Sequence, residues 1–323
     1  MRPTVVPNWR GQLASQLGAQ LGRTAPWRTR FAPAPTGFLH LGHLVNALHV
    51  WGIARAHGGS VLLRIEDHDR TRCRPEYETA LLDDLDWLGF EPDEFATAGF
   101  RQDMHTHPAR QSNQSARYAA ALSRLDARGL VYACECTRRD IAQLVPRRPG
   151  EETRYPGTCR TRVVDGRQHF ARRVQLDDMP IVFRDLRLGH LVQTPAAQCG
   201  DVLVRDRHAQ WTYQFAVVVD DLAHDVDVII RGEDLLDSTA RQWMLAGLLE
   251  RERMPLTLHH ALIVHADGSK LSKANHDTAL HELRAAGYSR ERLLGEAAYR
   301  SGLIPAARDL PVHAAGELFL SAG

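Results

Sequence analysis

Short apolar runs alternate with longer stretches in which apolar residues recur every three or four positions, and that alternation predicts strands separated by helices. Residues 1 to about 27 carry scattered Gly, Gln and Arg with one short possible helix, and read as an extension of uncertain order. From Thr29 a strand leads into a turn bearing Pro33, Pro35 and Gly37. Leu44, Val45, Leu48 and Trp51 then recur at helical spacing up to the Gly58-Gly59 pair, and "VLLRIED" (61–67) reads as a strand ending in acids. This β-turn-α-β opening predicts a Rossmann-type, doubly wound α/β fold on a parallel sheet. A helix over "PEYETALLDDLDWLGF" follows, with Pro75 suited to its first turn and Tyr77, Leu81, Leu85 and Leu88 along one face; another runs through Tyr118, Leu122 and Leu125 to Gly129. Between Val131 and Val174, Cys, Arg, Pro and Gly break the pattern and mark an insertion. Strands and helices resume through "DVLVRDRHAQWTYQFAVVVDD", "VDVIIRG" (226–232) and "TARQWMLAGLLE". A Gly268 turn opens "KLSKANH" (270–276), and the last 47 residues read as a short helical tail. The expected divisions are an extension at 1–27, a first half of the Rossmann domain at 28–130, the insertion at 131–174, the second half at 175–265, and the lysine loop with its tail at 266–323.

Composition narrows the class. With 323 residues, 44% hydrophobic and 24% charged, the chain can bury a sizeable core, and no apolar run approaches membrane-spanning length. Five cysteines, two of them one residue apart, argue against a disulfide framework and for metal binding or free thiols, so the cytoplasm is the expected compartment. The net charge of +1 decides nothing, but from Arg138 to Arg173 ten arginines stand against four acids. That stretch either faces a polyanion or is a solvated, Arg-rich loop.

Two short motifs carry candidate chemistry. In "RFAPAPTGFLHLGH" (30–43) the pair His40 and His43 sits where a turn feeds a helix N-terminus, whose unpaired N–H groups and dipole favour an anion. "KLSK" places Lys270 and Lys273 on a Gly-rich loop more than two hundred residues downstream, suited to a developing charge on phosphate. Either motif alone is weak, since a surface histidine or a solvated basic turn is the ordinary reading of each. Taken in order, and with the strand ending "RIED", they closely resemble a class I aminoacyl-tRNA synthetase of the glutamyl type, from roughly Arg30 to His276, with "HLGH" in the "HIGH" region and "KLSKA" for the "KMSKS" loop.

That resemblance implies adenylate formation from L-glutamate and ATP, with Mg²⁺ accompanying the nucleotide. His40, Gly42, His43, Lys270 and Lys273 would hold ATP, and His40, His43 and Lys273 would stabilise the reacting phosphates. An acidic substrate calls for arginine, whose fork matches a carboxylate, and Arg30 and Arg231 are the candidates. The family's glutamate contacts fall here on Arg30, Phe31, Ala32, Pro33, Ala34, Glu66, Tyr213 and Arg231, with Glu66 available to the α-amino group. Without the resemblance, Glu66 and Tyr213 would read as structural. Ala34 replaces the serine usual in "APSPTG" and Ala274 the last serine of "KMSKS", so any contact at 34 must come from the backbone.

Cys134 and Cys136 in "ACECT", with Cys159, offer three thiols of a tetrahedral zinc site. From the residues alone His169 would be the fourth ligand. The resemblance points instead to Tyr155 in "YPGTC", because a subset of these enzymes binds zinc through Cys, Cys, Tyr and Cys. Three reduced structural cysteines are the plainer reading. The 47 residues after His276 are too few for an anticodon-binding domain. Within the family this matches the members that esterify glutamate to the queuosine base in the anticodon of tRNA(Asp), acting as a monomer on ATP, glutamate and queuosine-containing tRNA(Asp). An ordinary glutamyl-tRNA synthetase body charging tRNA(Glu) and an inactive zinc- and RNA-binding regulatory paralogue are the rivals.

Overall fold

The computed structural model describes residues 4–22, 26–103, 105–145, 152–162, 170–263 and 278–320. In chain order the elements begin α1 (Trp9–Leu21), β1 (Trp27–Phe31), α2 (Leu41–His57), β2 (Gly59–Leu63), α3 (Pro75–Leu88), α4 (Thr97–Gln102) and α5 (Ser115–Ala127). Next come β3 (Val131–Cys134), α6 (Arg138–Leu144), β4 (Ala171–Val174), β5 (Ile181–Asp185), β6 (Gly189–Gln193), α7 (Pro195–Gln198) and β7 (Val202–Arg205). The rest are α8 (Tyr213–Ala223), β8 (Val228–Gly232), α9 (Thr239–Leu248), β9 (Leu256–His260), α10 (Leu280–Ala285) and α11 (Arg290–Arg300).

The Rossmann core is parallel where it matters. β1 pairs in parallel with β2, and β8 and β5 each pair in parallel with β9, while β6 closes the edge as a hairpin with β5. The two groups meet where β1 begins, Asp227 N–H donating to Arg28 C=O at 2.9 Å and Arg28 N–H to the Asp227 carboxylate at 2.9 Å. The chain thus leaves β1 toward β2 on one side and returns as β8 on the other, which creates a crevice at the strands' carboxyl ends. A large core packs on the face that carries Val61, Leu63, Val228 and Ile230, with α2 buried nearly all round: Leu44, Leu48, Val50 and Ile53 are at most 1% exposed. Pro75 occupies the first turn of α3 and Gly129, at φ 69°, ends α5. No described helix is long and apolar enough to cross a membrane.

Several elements differ from the pattern-based reading. The strand expected at 61–67 stops at Leu63, because its neighbour turns into Pro33 and Pro35, which lack the N–H a ladder needs. Arg64 N–H to Phe31 C=O and Glu66 N–H to Pro33 C=O, both 3.0 Å, carry the pairing with β1 on. The N-terminal extension holds a packed helix: Leu13, Leu17 and Leu21 of α1 are buried, and Trp9 lies against Phe319 with ring centroids 6.3 Å apart. The insertion's strands β3 and β4 form a three-stranded antiparallel sheet with β7, which lies beyond Val174. Many of its arginines are engaged internally: Arg160 with Asp201 at 2.9 Å, Arg162 with Glu135 at 2.8 Å and Arg172 with Asp126 at 2.8 Å.

Candidate active site

A cleft of about 640 Å³ opens at the crevice between β1 and β8, and every candidate glutamate contact, Arg30, Phe31, Ala32, Pro33, Ala34, Glu66, Tyr213 and Arg231, lines it together with His40, Gly42 and His43. Lys270 and Lys273, like Ala274 and His169, lie outside the described residues.

At the start of α2 the two histidines cap the helix reciprocally. His40 Nδ1 accepts from Gly42 N–H at 3.1 Å, and His43 Nδ1 accepts from His40 N–H at 3.2 Å. A neutral ring that accepts at Nδ1 carries its proton at Nε2, so each histidine presents N–H donor character of the kind a phosphate oxygen accepts. Gly42 makes room for this, since a Cβ there would stand 2.9 Å from His40 Cε1.

Two buried arginines face the same cleft. Arg30, on β1, is tied to Asp221 by Nε at 3.1 Å to Oδ1 and Nη2 at 3.3 Å to Oδ2. Asp221 also accepts from the fully buried Arg64 at 2.7 Å, and Arg64 reaches Glu66 Oε1 at 2.9 Å. Burial pushes the Asp221 carboxyl up, but Arg30 and Arg64 outweigh it and hold the group well below the usual carboxylate range. Glu66 is therefore fixed at the cleft wall through Arg64. Arg231, at the end of β8 and 4% exposed, donates to His259 Nε2 at 3.0 Å, Gln242 Oε1 at 2.7 Å and Thr239 Oγ1 at 2.9 Å. Tyr213 opens α8, and burial pushes its phenol up, so it stays a protonated hydrogen-bonding group.

Asp221, Arg64, Asp185 and His259 were missed by sequence reasoning. The acids ending "YQFAVVVDD" were the available signal for Asp221, because a carboxylate closing an apolar helical run must find a buried partner. His68 and Arg72 also line the cleft, with His68 Nδ1 2.6 Å from Gln111 Oε1.

The candidate metal site sits on β3 and the loop before Cys159. The Sγ atoms of Cys134, Cys136 and Cys159 all lie within 4.8 Å of one another. Tyr155 Oη is 3.4 Å from Cys134 Sγ and 3.9 Å from Cys136 Sγ, and the Cys136 and Cys159 sulfurs are 3.5 Å apart. Zn–S bonds of about 2.3 Å put tetrahedral donors roughly 3.8 Å apart, so these four side chains fit a zinc ion. Gly200, at φ 68°, lets the chain pass Tyr155; a Cβ there would stand 2.1 Å from the Tyr155 carbonyl oxygen. Arg173, 8% exposed, stacks 3.7 Å over the Tyr155 ring and donates to Cys134 Sγ at 3.3 Å, a cation where thiolates would gather.

Comparison with known proteins agrees with this geometry. The profile of the family "tRNA synthetases class I (E and Q), catalytic domain" matches residues 26–313. The glutamyl-Q tRNA(Asp) synthetase of Cupriavidus metallidurans is 45% identical over 259 residues, covering 79% of each chain. That of Symbiobacterium thermophilum is 40% identical over 286 residues, covering 85% of this chain and 86% of its own. Among solved structures, the glutamate tRNA ligase of Elizabethkingia meningosepticum in complex with its amino acid superposes with a TM-score of 0.71 at 26% identity, over 84% of this chain and 60% of that one. This chain therefore spans only about three fifths of that synthetase's length. With the fold, the crevice and the matched span in agreement, the chain belongs to the family of class I tRNA synthetases for glutamate and glutamine, and is a ligase-type enzyme.

Proposed function

We propose that the protein activates L-glutamate with ATP and transfers it to the queuosine base in the anticodon of tRNA(Asp). The observation that carries the first half is the cleft itself: two buried guanidinium groups, a tethered carboxylate and a phenol stand beside a histidine-capped helix start. In this reading Arg231 and Tyr213 take the substrate's side-chain carboxylate, Arg30 closes the same wall, and Glu66 receives the α-ammonium group. The α-carboxylate oxygen attacks the α-phosphorus of ATP and pyrophosphate leaves. His40 and His43 donate to the phosphates at the positive end of α2, with Lys270 and Lys273 acting from the second loop, and Mg²⁺ accompanies the nucleotide. A hydroxyl of the modified base then attacks the adenylate carbonyl and AMP leaves. The second half rests on the names of the similar synthetases from Cupriavidus and Symbiobacterium. Zinc held by Cys134, Cys136, Tyr155 and Cys159 would fix the insertion structurally, within a cytoplasmic, monomeric enzyme.

Amino-acid-dependent exchange of pyrophosphate into ATP tests the first half. Exchange with glutamate, and far less with glutamine or aspartate, is expected. No exchange with any of the three would favour an inactive regulatory paralogue.

A further inference from the structure

Arg30 and Arg231 face one cleft in opposite electrostatic settings. Arg30 is neutralised where it stands by Asp221. Arg231 is equally buried, yet its three acceptors are all uncharged, and among the described residues no carboxylate lies within ion-pair distance of it. A guanidinium so placed is held in position with no described carboxylate paired to it, which is what a site for an anionic side chain needs. Gln242 and Thr239 accept with oxygen atoms as a matter of course. His259 does so only when its ring is neutral and the proton sits on the other nitrogen.

Asp185 supplies that condition. Its carboxylate, with no exposed surface, accepts His259 Nδ1 at 2.7 Å and His259 N–H at 3.1 Å through Oδ2, and Arg187 N–H at 3.0 Å and Leu188 N–H at 2.9 Å through Oδ1. Four donors fix it as an acceptor, so the imidazole proton must lie at Nδ1, and the Nε2 lone pair is left for Arg231. Thr239 completes the triangle, with Oγ1 2.9 Å from Arg231 Nη2 and 3.2 Å from His259 Nε2. A second proton on His259 would set N–H against N–H at Arg231, and burial disfavours it as well.

We infer that Asp185 and His259 are positioning residues for amino-acid recognition: Asp185 fixes the imidazole proton, and His259 orients Arg231 through a neutral acceptor that leaves its charge for the substrate's side-chain carboxylate. The inference rests on the glutamate-activating reading above. A direct acid partner at Arg231 would cancel its charge, as Asp221 does for Arg30.

Two substitutions separate this role from a structural one. In His259→Gln the side-chain amide reaches the position of Nε2 and can still accept from Arg231. In His259→Asn it reaches only the position of Nδ1, keeps Asp185 and loses Arg231. Glutamate-dependent pyrophosphate exchange is measured for both, with thermal unfolding alongside. His259→Asn is expected to raise the KM for glutamate about tenfold, the scale of one lost hydrogen bond to a charged group, with the KM for ATP unchanged. His259→Gln is expected to stay within about threefold of the wild type. Equal glutamate KM values for wild type and Asn variant, or equal losses in both variants with a parallel rise in the ATP KM, would overturn the inference alone. A wild-type protein with no glutamate-dependent exchange would overturn the function reading, and this inference with it.

Discussion

Replacing Asp221 by Asn removes one negative charge from between two buried arginines while keeping the side chain's shape. In the wild type Asp221 accepts from Arg30 at 3.1 Å and from Arg64 at 2.7 Å, and Arg64 is entirely buried. Asparagine offers one acceptor oxygen and turns an NH₂ toward a guanidinium. Leaving a buried charge without its partner costs about 3–5 kcal/mol, or two to four decades in the folding equilibrium. Glu66 retains Arg64 at 2.9 Å, which places the expectation near the lower end, about 3 kcal/mol. Urea unfolding followed by tryptophan fluorescence at pH 7 reads the loss as a lower midpoint at constant slope. The pH dependence has a definite sign. The folded Asp221 carboxyl lies below its usual range, so its stabilisation is complete above the unfolded value of about 3.9 and is lost as pH falls through the lower folded value. The deficit of the Asn variant should therefore be constant from pH 8 to about 5 and shrink only below about 4. A deficit under about 1 kcal/mol at pH 7 would show that the arginines are solvated or re-paired, and would refute this account of how Arg30 is held.

Other substitutions probe separate parts of the molecule. Asp84, on α3 and 1% exposed, has its carboxyl pushed by burial up to about 7, so the folded protein favours the protonated form, and stability should fall as pH rises from about 4 to 7. Asp84→Asn should accordingly raise the Tm at pH 8 and leave it nearly unchanged at pH 4; an equal effect at both would contradict the burial argument. Cys136→Ser should release zinc, read by metal analysis and a chelating dye, while a protein isolated with no zinc at any cysteine state would reject the metal reading. His43→Ala and, in the lysine loop, Lys273→Ala should each slow glutamate-dependent pyrophosphate exchange by at least about tenfold, and wild-type rates in both would remove the proposed phosphate site.

What the sequence made legible follows from how each feature is encoded. The opening β-turn-α-β unit and the helices at Pro75 and Tyr118 were readable because capping and periodicity are local properties. Arg30, Glu66, Tyr213 and Arg231 were readable only through ordered motifs, since neither spacing nor composition tells that residues so far apart share a wall. Their supports were hidden for the same reason. Asp221 meets Arg30 across 191 positions and Asp185 meets His259 across 74, pairings that only the packed sheet creates. Trp9 and the leucines of α1 were obscured by a weakly amphipathic sequence, and packing against the C-terminal part, rather than propensity, makes that helix. The arginines of the insertion show what charge counting leaves out: Arg160, Arg162 and Arg172 face Asp201, Glu135 and Asp126.

The acceptor is identified by transfer of labelled glutamate, in the presence of ATP and Mg²⁺, to queuosine-containing tRNA(Asp), to the same tRNA lacking queuosine, and to tRNA(Glu). Label on the queuosine-containing tRNA alone is the expected result. Label on tRNA(Glu), or on tRNA(Asp) irrespective of queuosine, would contradict it.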